Sequence, residues 1–271
     1  SHFRLDMERI DLTKIKHEKK TGQVCEYIEP NIVDDSVFYS DGEPIGFYLK
    51  KMPTKMCKLA DLSNAEFRTK NVPKQKMNRS DTVTKVKEGM SYKDAAKFGV
   101  SQFSTILGST PPRPHMLRPY PSRSSVHSVK TAQTFIKAMW LLALESEKLI
   151  KDLIPIQYEK QQELFSDVPK EWRFGNLFTS SISNFNISAP LHRDTGNIKG
   201  AVNVIICKKY NSKGGDLHVP DYDATIGQED NSILVYPAWR NVHGVTPIIP
   251  THEGGYRNSL IFYPLKAFKG L

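Results

Sequence analysis

The residues that best indicate the fold are His192-Arg193-Asp194. They are followed along the chain by His243 and then by Tyr256-Arg257-Asn258-Ser259. In an extended strand, residues two apart project from the same side, so His192 and Asp194 form a minimal chelating pair. Two imidazoles and one carboxylate on one face of an iron ion leave positions open for oxygen and a co-substrate. The sequence therefore predicts a catalytic Fe(II) site formed by His192, Asp194 and His243.

A cationic side chain completes this pattern. The guanidinium of Arg257 can hold a carboxylate through two parallel hydrogen bonds, and Ser259 lies on the same face of a strand. One end of 2-oxoglutarate would then chelate the iron while its far carboxylate contacts Arg257 and Ser259. We expect residues 243–249 and 256–262 to pair as an antiparallel hairpin, with the backbones of His243 and Arg257 about 15 Å apart.

The remaining histidines lack such a pattern. A lone histidine is usually a surface residue or a core residue whose hydrogen bonds are satisfied, and no metal role is predicted for these. Leaving aside His2 at the start of the sequence, they are His17, His115, His127, His218 and His252.

From Asn176 onward the chain consists of short β-rich runs separated by Gly, Asn and Pro turns. This pattern of short strands and turns is typical of a sandwich or barrel, so we predict a jelly roll. Two helices precede it: residues 131–153 place apolar side chains on one stripe, and Pro155 begins a second helix that ends near Phe165. The predicted strands are 177–185, 201–207, 215–219, 232–236, 242–249 and 256–263. The predicted fold class is α+β, with a jelly-roll core backed by helices.

Residues 3–128 are predicted to form an N-terminal extension, and residues 129–271 the helix-backed core, together making a single compact unit. Short strands are expected at 36–39 and 45–49, and a helix at 91–98, where a capping Ser precedes helically spaced apolar residues. The run from 108 to 128 is rich in Pro, Ser and Arg. Its prolines break every helical register, so an extended loop is predicted.

Composition narrows the functional class. Of 271 residues, 39% are hydrophobic, enough for a sizeable core. Lys and Arg number 38 against 29 Asp and Glu, a formal net charge of +9 that favours an anionic partner such as nucleic acid. Cys25, Cys57 and Cys207 are odd in number and widely spaced, which fits neither a disulfide framework nor a zinc module and indicates a reducing, intracellular compartment. No apolar run approaches the roughly 18 residues that span a bilayer, so a soluble protein without a membrane partner is predicted.

Four motifs carry a family resemblance: HRDTGN at 192–197, KGGDL at 213–217, NVHGVTP at 241–247 and YRNS at 256–259. They resemble the TET and J-binding-protein branch of the 2-oxoglutarate dioxygenases, which hydroxylates the methyl group of 5-methylpyrimidines in nucleic acid. The resemblance implies a double-stranded β-helix core of the jelly-roll, cupin-like type, with Fe(II), 2-oxoglutarate and O2 as cofactor and co-substrates. By the same likeness the predicted iron ligands bind iron, and Arg257 and Ser259 hold 2-oxoglutarate.

The resemblance also bears on the substrate. Arg193 and Asn197, placed around the iron ligands, are its more discriminating residues, and it implies that Asn197 faces the target base and that Arg193 contributes to substrate binding. The chain lacks the Cys-rich zinc region of the animal enzymes and is similar in its compact size to phage and microbial members. This likeness leaves open a phage or a microbial origin; a phage-encoded protein would act on DNA in the bacterial host cytoplasm. A monomer is expected, although the sequence does not determine the oligomeric state.

Phosphate contacts are predicted for the proline-rich run. There, rigid extended backbone would hold Arg113, Arg118 and Arg123 against a groove at little entropic cost. A solvated linker that wraps the barrel is the alternative. A second basic cluster comprises Lys70, Lys74, Lys76 and Arg79, and for this one a solvated loop is the favoured interpretation.

A methyl group inside a duplex is reached only after the base is flipped out of the stack, and a flipped base is read by its Watson–Crick edge. Besides Asn197, the residues Asn184 and Asn186 are weaker candidates for that contact. Strand or turn capping is the favoured interpretation of these two.

Three functional hypotheses follow. The preferred one is a dioxygenase that converts 5-methylcytosine in DNA to 5-hydroxymethylcytosine, with thymine in DNA as the alternative base. A protein prolyl or lysyl hydroxylase would use the same iron site and the same arginine. A nonenzymatic nucleic-acid-binding module on a degenerate jelly roll is the third. The sequence leaves open single or double strands, DNA or RNA, and how far the oxidation proceeds.

Overall fold

The protein is described by a computed structural model that covers residues 6–77, 101–113 and 118–271. The helix predicted at 91–98, together with Arg79 and His115, lies outside the described residues. Within the described part of the chain, no helix has the length and apolar character needed to cross a membrane.

Three α-helices and a set of short strands make up the described chain. The helices are α1 (Thr54–Phe67), α2 (Gln133–Leu153) and α3 (Pro155–Leu164). The strands are β1 (Glu8–Asp11), β2 (Ser36–Ser40), β3 (Glu43–Leu49), β4 (Gln75–Lys76), β5 (Phe103–Thr110), β6 (Ser122–Arg123), β7 (Ser180–Phe185), β8 (Ala189–His192), β9 (Asn203–Tyr210), β10 (Ser212–Gly214), β11 (Leu217–Val219), β12 (Ala224–Ile226), β13 (Ser232–Tyr236), β14 (His243–Val245), β15 (Ile248–Pro250) and β16 (Tyr256–Tyr263).

A large sheet forms one wall of the molecule. Its strand order is β1-β2-β3-β13-β9-β16-β7-β5-β4, and β6 pairs with β5. Side chains alternate across it as a strand requires: Val204 and Ile206 of β9 join the core beneath the helices, whereas Ile205 between them faces the other way. Strands from both sides of residue 128 share this sheet, since β3 pairs with β13 and β5 pairs with β7.

The helices cover the outer face of the large sheet. The apolar stripe predicted on α2 is confirmed, because all of its residues lie in the buried core that this helix shares with the sheet. Those residues are Phe135, Met139, Leu142, Leu149 and Leu153. Pro155 begins α3 at its first turn, where the missing N–H of proline is not needed. Helix α1, which the sequence analysis did not predict, packs against α2.

A smaller sheet, ordered β12-β11-β14-β8, packs against the other face of the large sheet. Apolar side chains from both sheets meet between them, among them Ile45 and Leu234 from the large sheet and Leu217, Val219 and Ile226 from the small one. Two sheets, antiparallel except for the parallel pair β1–β2 at one edge of the large sheet, enclose one apolar interior and form the predicted jelly roll. The α+β fold class is therefore confirmed.

The predicted hairpin between 243–249 and 256–262 is wrong. The first segment is split: β14 pairs with β8 and β11 in the small sheet, whereas β15 pairs with β10. Strand β16 lies in the large sheet between β9 and β7. The break falls at Pro247, which has no N–H to donate to a ladder, and the chain changes sheets there. His243 and Arg257 consequently face the interior from different sheets.

Candidate metal centre and co-substrate site

The predicted iron ligands lie together at one end of the small sheet. His192 ends β8 and His243 begins β14, and the two are register partners, so their side chains share one face. Their ring centroids are 4.5 Å apart. Asp194 lies two residues beyond His192, and one ligand atom from each of the three residues lies within 4.8 Å of the others. This is a donor set that could hold a metal ion.

Both histidines are oriented by backbone carbonyls. His192 Nδ1 is 2.8 Å from the carbonyl oxygen of Pro190, and His243 Nδ1 is 2.9 Å from that of Asn241. A carbonyl oxygen only accepts, so each Nδ1 carries the hydrogen and each Nε2 presents a lone pair. Nε2 of His192 is 2.9 Å and Nε2 of His243 is 3.9 Å from Asp194 Oδ1. Metal-binding histidines in proteins generally donate their other ring N–H to a carbonyl or carboxylate oxygen, as these two do.

The site is buried on one side and open on the other. The side chain of His243 is 3% exposed, whereas those of His192 and Asp194 are 38% and 30% exposed. Burial lowers the pKa of His243, so its imidazole is neutral at pH 7. A neutral imidazole and an ionised carboxylate are the forms that bind a metal. The open side gives a large molecule access to His192 and Asp194.

Arg257 lies on the interior face of β16 and is 1% exposed. Its guanidinium donates to Ser259 Oγ and to Oε1 of Gln228. Its Nε and the Nε2 of Gln228 are buried without a hydrogen-bond partner, and among the described residues no carboxylate forms an ion pair with this guanidinium. An unpaired buried cation is costly, and a carboxylate ligand would satisfy it.

The KGGDL turn builds this arginine site. Gly215 has φ +68°, and a Cβ there would overlap Cδ of Arg257. The next residue, Asp216, accepts from the backbone N–H of Gln228 at 3.0 Å, and Thr246 Oγ1 accepts from the backbone N–H of Asp216 at 2.9 Å. The turn therefore makes room for Arg257 and fixes Gln228, a residue that the sequence analysis missed.

Tyr236 is a second residue that the sequence analysis missed. Its ring stands at 81° to that of His243, with the centroids 5.4 Å apart. Burial and the nearby Asp194 raise the pKa of Tyr236, whereas Arg257 lowers it. The Tyr236 phenol is therefore close to His243 and near enough to Asp194 and Arg257 for both charges to act on it. The alternation of inward and outward side chains along β13 could have identified it, because Tyr236 shares the interior face of that strand with Leu234.

The residues predicted to bind substrate are placed differently from one another. Arg193 is exposed beside the metal-ligand group. Asn197 is 6% exposed, and its Nδ2 donates to Asn203 Oδ1 at 2.9 Å. Asn186 caps the start of β16, since its Oδ1 accepts from the backbone N–H of Arg257 at 3.0 Å. Asn184 is half-buried and shares a face with Ser259, its register partner on β16.

The three arginines of the proline-rich run also differ. The guanidinium of Arg118 donates to Ser122 Oγ at 3.2 Å and to the carbonyl of Pro111 at 3.0 Å. Arg123 donates to Ser109 Oγ and to the carbonyl of Arg173, both at 3.1 Å. These two hold the loop in shape. Arg113 is exposed.

Tyr263 connects Arg113 with the metal-ligand group. Burial raises the pKa of Tyr263, the charge of Arg113 lowers it, and Asp194 raises it. Alternation puts Tyr263 on the same interior face of β16 as Arg257 and Ser259, at the other end of the strand. Arg113 of the proline-rich run and Asp194 of the metal-ligand group are therefore both near enough to Tyr263 for their charges to act on it.

The second basic cluster has a structural component. Lys74 Nζ donates to the carbonyls of Phe67, Thr69 and Val72 at 2.7, 2.6 and 2.9 Å. These carbonyls lie at and after the end of α1, so Lys74 caps that helix. Lys70 and Lys76 are exposed, as the solvated-loop interpretation expects.

Comparisons with known proteins bear on the fold. No protein-family model matches the sequence, and no curated protein matches it. A structure of NgTET1 in complex with 5mC DNA aligns with 98% of this chain and 86% of its own, with a TM-score of 0.60 and 12% sequence identity. The chain therefore has the fold of a TET-like 2-oxoglutarate and Fe(II) oxygenase, and the resemblance seen in the motifs is confirmed at the level of the fold.

Two further structures are more distant. The alignment with a 2OG-Fe(II) oxygenase family oxidoreductase from Burkholderia pseudomallei includes 80% of this chain and 84% of the other chain, at 12% identity and a TM-score of 0.43. The structure of OsALKBH1 covers 88% of this chain and 100% of its own, at 14% identity and a TM-score of 0.39. These scores are too low to add support.

Proposed function

We propose that this protein is an Fe(II)- and 2-oxoglutarate-dependent dioxygenase that hydroxylates the 5-methyl group of a pyrimidine in DNA, converting 5-methylcytosine to 5-hydroxymethylcytosine. The observation that carries the proposal is the buried Arg257, which lacks a carboxylate partner among the described residues and faces the same interior as the His192, Asp194 and His243 group. A metal-ligand group and an unsatisfied cation on opposite walls of one interior fit a dicarboxylate that chelates a metal.

The donor set fits iron. Two neutral imidazoles and one carboxylate on one face are the ligands of non-haem Fe(II) oxygenases. When bound there, Fe(II) with 2-oxoglutarate and O2 supplies the oxidising power that an inert methyl C–H bond requires, while 2-oxoglutarate is converted to succinate and CO2. The protein contributes binding, orientation and the exclusion of side reactions.

Each interior residue has a role in this proposal. His192, Asp194 and His243 hold the iron with their Nε2 and carboxylate oxygen atoms. Arg257, with Ser259 and Gln228 beside it, binds the far carboxylate of 2-oxoglutarate through charge-assisted hydrogen bonds. Those bonds would anchor the far end of the co-substrate and leave its other end free to chelate the metal held by His192, Asp194 and His243.

The preference for DNA rests on charge and on the open side of the site. The formal net charge is +9, exposed Arg193 lies between His192 and Asp194 in the sequence, and the charge of exposed Arg113 acts on Tyr263 as that of Asp194 does. The aligned TET-like structure contains 5mC DNA, which favours a methylated base as the substrate. Arg118 and Arg123 would contribute to phosphate binding by shaping the loop that carries Arg113. Asn197 would contribute to the base pocket through its pairing with Asn203.

A nucleoside assay tests the proposal. The protein is incubated with Fe(II), 2-oxoglutarate and duplex DNA that contains both thymine and 5-methylcytosine, and the nucleosides are analysed by mass spectrometry. We expect 5-hydroxymethylcytosine to form only when 2-oxoglutarate is present. Hydroxymethyluracil instead would assign thymine as the substrate base, and hydroxylated prolyl or lysyl peptides with unmodified DNA would replace the DNA proposal by a protein hydroxylase.

The proposed setting is a reducing, intracellular one in which the protein acts as a monomer. Cys25, Cys57 and Cys207 are all free and buried. Burial raises the pKa of the Cys25 thiol to about 11, which keeps it protonated and unreactive. Size-exclusion chromatography with light scattering tests the monomer, and a molecular mass twice that of the chain would contradict it.

A further inference from the structure

A segment of irregular backbone, residues 15–25, crosses the small sheet from one side to the other; we name it the strap. At one end the backbone N–H of Ile15 donates to the carbonyl of Asp221 at 2.8 Å. At the other end the backbone N–H of Gly22 donates to the carbonyl of Leu191 at 2.7 Å. The strap therefore runs from the turn between β11 and β12 to β8, the strand that ends at His192.

The strap lies on the outer face of the small sheet, behind the metal-ligand group. Alternation along β14 points His243 inward and Gly244 outward. A Cβ on Gly244 would lie 2.9 Å from the Cβ of Cys25 in the strap. His218, the register partner of Gly244, shares this outer face, and its Nε2 is 2.9 Å from Lys19 Nζ. Only a glycine at 244 lets the strap approach this closely.

The strap pairs with β8, the edge strand of the small sheet. Gly22 donates to the carbonyl of Leu191, and the backbone N–H of Leu191 donates to the carbonyl of Gln23 at 2.9 Å. An edge strand has unpaired backbone groups that allow it to shift or fray. These two bonds fix β8 at the residue that precedes His192.

A chain of hydrogen bonds connects the strap with the second histidine. His17 Nε2 is 2.8 Å from Asp221 Oδ1, and because His17 Nδ1 accepts from the backbone N–H of Lys19 at 3.1 Å, Nε2 is the donor. The other oxygen, Asp221 Oδ2, accepts from Asn241 Nδ2 at 2.8 Å. The carbonyl of Asn241 in turn accepts from His243 Nδ1 at 2.9 Å. Each link fixes the orientation of the next.

We propose that the strap is a positioning element for the metal site, with His17 and Asp221 as positioning residues that orient His243 through Asn241 while Gly22 and Gln23 hold the strand of His192. This inference rests on the proposed function, since it takes His192, Asp194 and His243 to be metal ligands. Neither His17 nor Asp221 would touch the metal. Outer partners of metal-binding histidines typically change metal affinity about 10- to 100-fold when they are removed.

The experiment measures binding of Co(II) alone to the purified protein, because Co(II) reports its coordination through visible absorption. The variants are Asp221→Ala, His17→Ala and His17→Gln, in which the amide can donate to Asp221 as His17 Nε2 does. His252→Ala, in an exposed turn away from the small sheet, is the control. Thermal unfolding of each metal-free variant is recorded in parallel.

We expect Asp221→Ala to weaken Co(II) binding about 10-fold. His17→Ala should act in the same direction by a smaller factor, with an altered Co(II) spectrum. His17→Gln should restore wild-type affinity, and His252→Ala should not change it. A role in general stability alone would lower the melting temperature without changing the spectrum of the bound ion, and it would overturn the inference. His17→Ala keeps the test valid even if Asp221→Ala fails to fold, because His17 lies on the surface-facing strap.

Two failures are distinguishable. If the wild-type protein itself does not bind Co(II), the proposed metal site is wrong and the inference falls with it. If the wild-type protein binds Co(II) and all strap variants bind it equally well with the same spectrum, the metal site stands and only the role of the strap is refuted.

Discussion

The side chain of Arg257 passes directly over Gly215, so closely that a Cβ on Gly215 would overlap Arg257 Cδ. The glycine has φ +68°, a conformation that residues with a side chain rarely adopt. Two requirements, a left-handed backbone and an absent side chain, therefore coincide at the residue beneath the proposed co-substrate site. The KGGDL motif is explained by the arginine that it accommodates.

Gly215→Ala should displace the guanidinium of Arg257. We expect the KM for 2-oxoglutarate to rise roughly 10-fold or more, which is the effect of losing a charge-assisted hydrogen bond. Backbone strain at the positive φ should also lower the free energy of unfolding by about 1–3 kcal/mol. Gly254→Ala is the matched control, because Gly254 has φ +77° with nothing within 4 Å of its built Cβ. It should lose stability at an unchanged KM. Equal KM values in the two variants would refute the link between Gly215 and Arg257.

Asp194→Ala should abolish turnover and leave the fold intact. Asp194 is the carboxylate of the proposed iron site and is 30% exposed, so its loss removes a ligand without opening a core cavity. Succinate formation and the far-ultraviolet circular dichroism spectrum report activity and fold. Asp11→Ala, which removes an exposed carboxylate paired with Arg9, should match the wild type in both. A folded Asp194→Ala protein with normal turnover would show that Asp194 is not a ligand.

Tyr236→Phe should weaken the binding of 2-oxoglutarate. The charges of Asp194 and Arg257 both act on the pKa of this phenol, so its hydroxyl is near enough to the proposed co-substrate site to donate to a bound carboxylate. One hydrogen bond is worth about 0.5–1.5 kcal/mol, so the KM should rise roughly 2- to 10-fold. Tyr210→Phe changes an exposed tyrosine on the neighbouring strand and serves as the control. An unchanged KM in Tyr236→Phe would exclude the hydroxyl from the co-substrate site.

Stability should fall in acid partly because of His127. Burial lowers its pKa from 6.5 to about 4, and its Nε2 accepts from the backbone N–H of Gly108 at 2.8 Å. Between pH 4 and 6.5 the unfolded chain therefore binds more protons at this residue than the folded chain, so stability rises with pH across that window. In His127→Gln an amide oxygen can accept without titrating.

Urea unfolding as a function of pH measures this effect. The difference in unfolding free energy between the wild type and His127→Gln should be constant above pH 6.5 and should shift in favour of the variant as the pH falls toward 4. A difference that does not depend on pH would mean that folding does not lower the pKa of His127.

DNA binding should weaken as salt increases. Arg113 is exposed and is a proposed phosphate contact, and each such contact contributes about 0.9 to the slope of log K against log salt. Arg113→Ala should lower that slope by about 1. Lys148→Ala, on an exposed face of α2 beside Glu145, is the control and should leave the slope unchanged. DNA binding that does not change with salt concentration would refute the proposed phosphate contacts.

The sequence predicted what depends on local pattern. Strand β13 was predicted with the limits that the structure has, and the stripe of α2 is buried as its spacing required. His192 and Asp194 share a side because they are two apart in an extended segment. Helix α1 was missed because Ser63 and Asn64 occupy buried positions on it, which obscures an apolar stripe.

What the sequence did not predict depends on tertiary contacts. The hairpin between the segments of His243 and Arg257 was wrong because Pro247 interrupts the ladder and the chain changes sheets. Gln228 contacts Arg257 across 29 residues, and no local pattern marks it. His17 was interpreted as a surface residue or a core residue with satisfied hydrogen bonds, without a role at the metal site. Its contact with Asp221 spans 204 residues and becomes visible only in the folded chain.

Labelling with 18O2 follows both oxygen atoms of the proposed reaction. A dioxygenase at this site would place one oxygen atom of O2 in succinate and the other in the hydroxymethyl group of the base. We predict one 18O atom in succinate and one in 5-hydroxymethylcytosine, both absent from Asp194→Ala. Succinate without label from the active wild-type protein would contradict the proposed iron and 2-oxoglutarate chemistry.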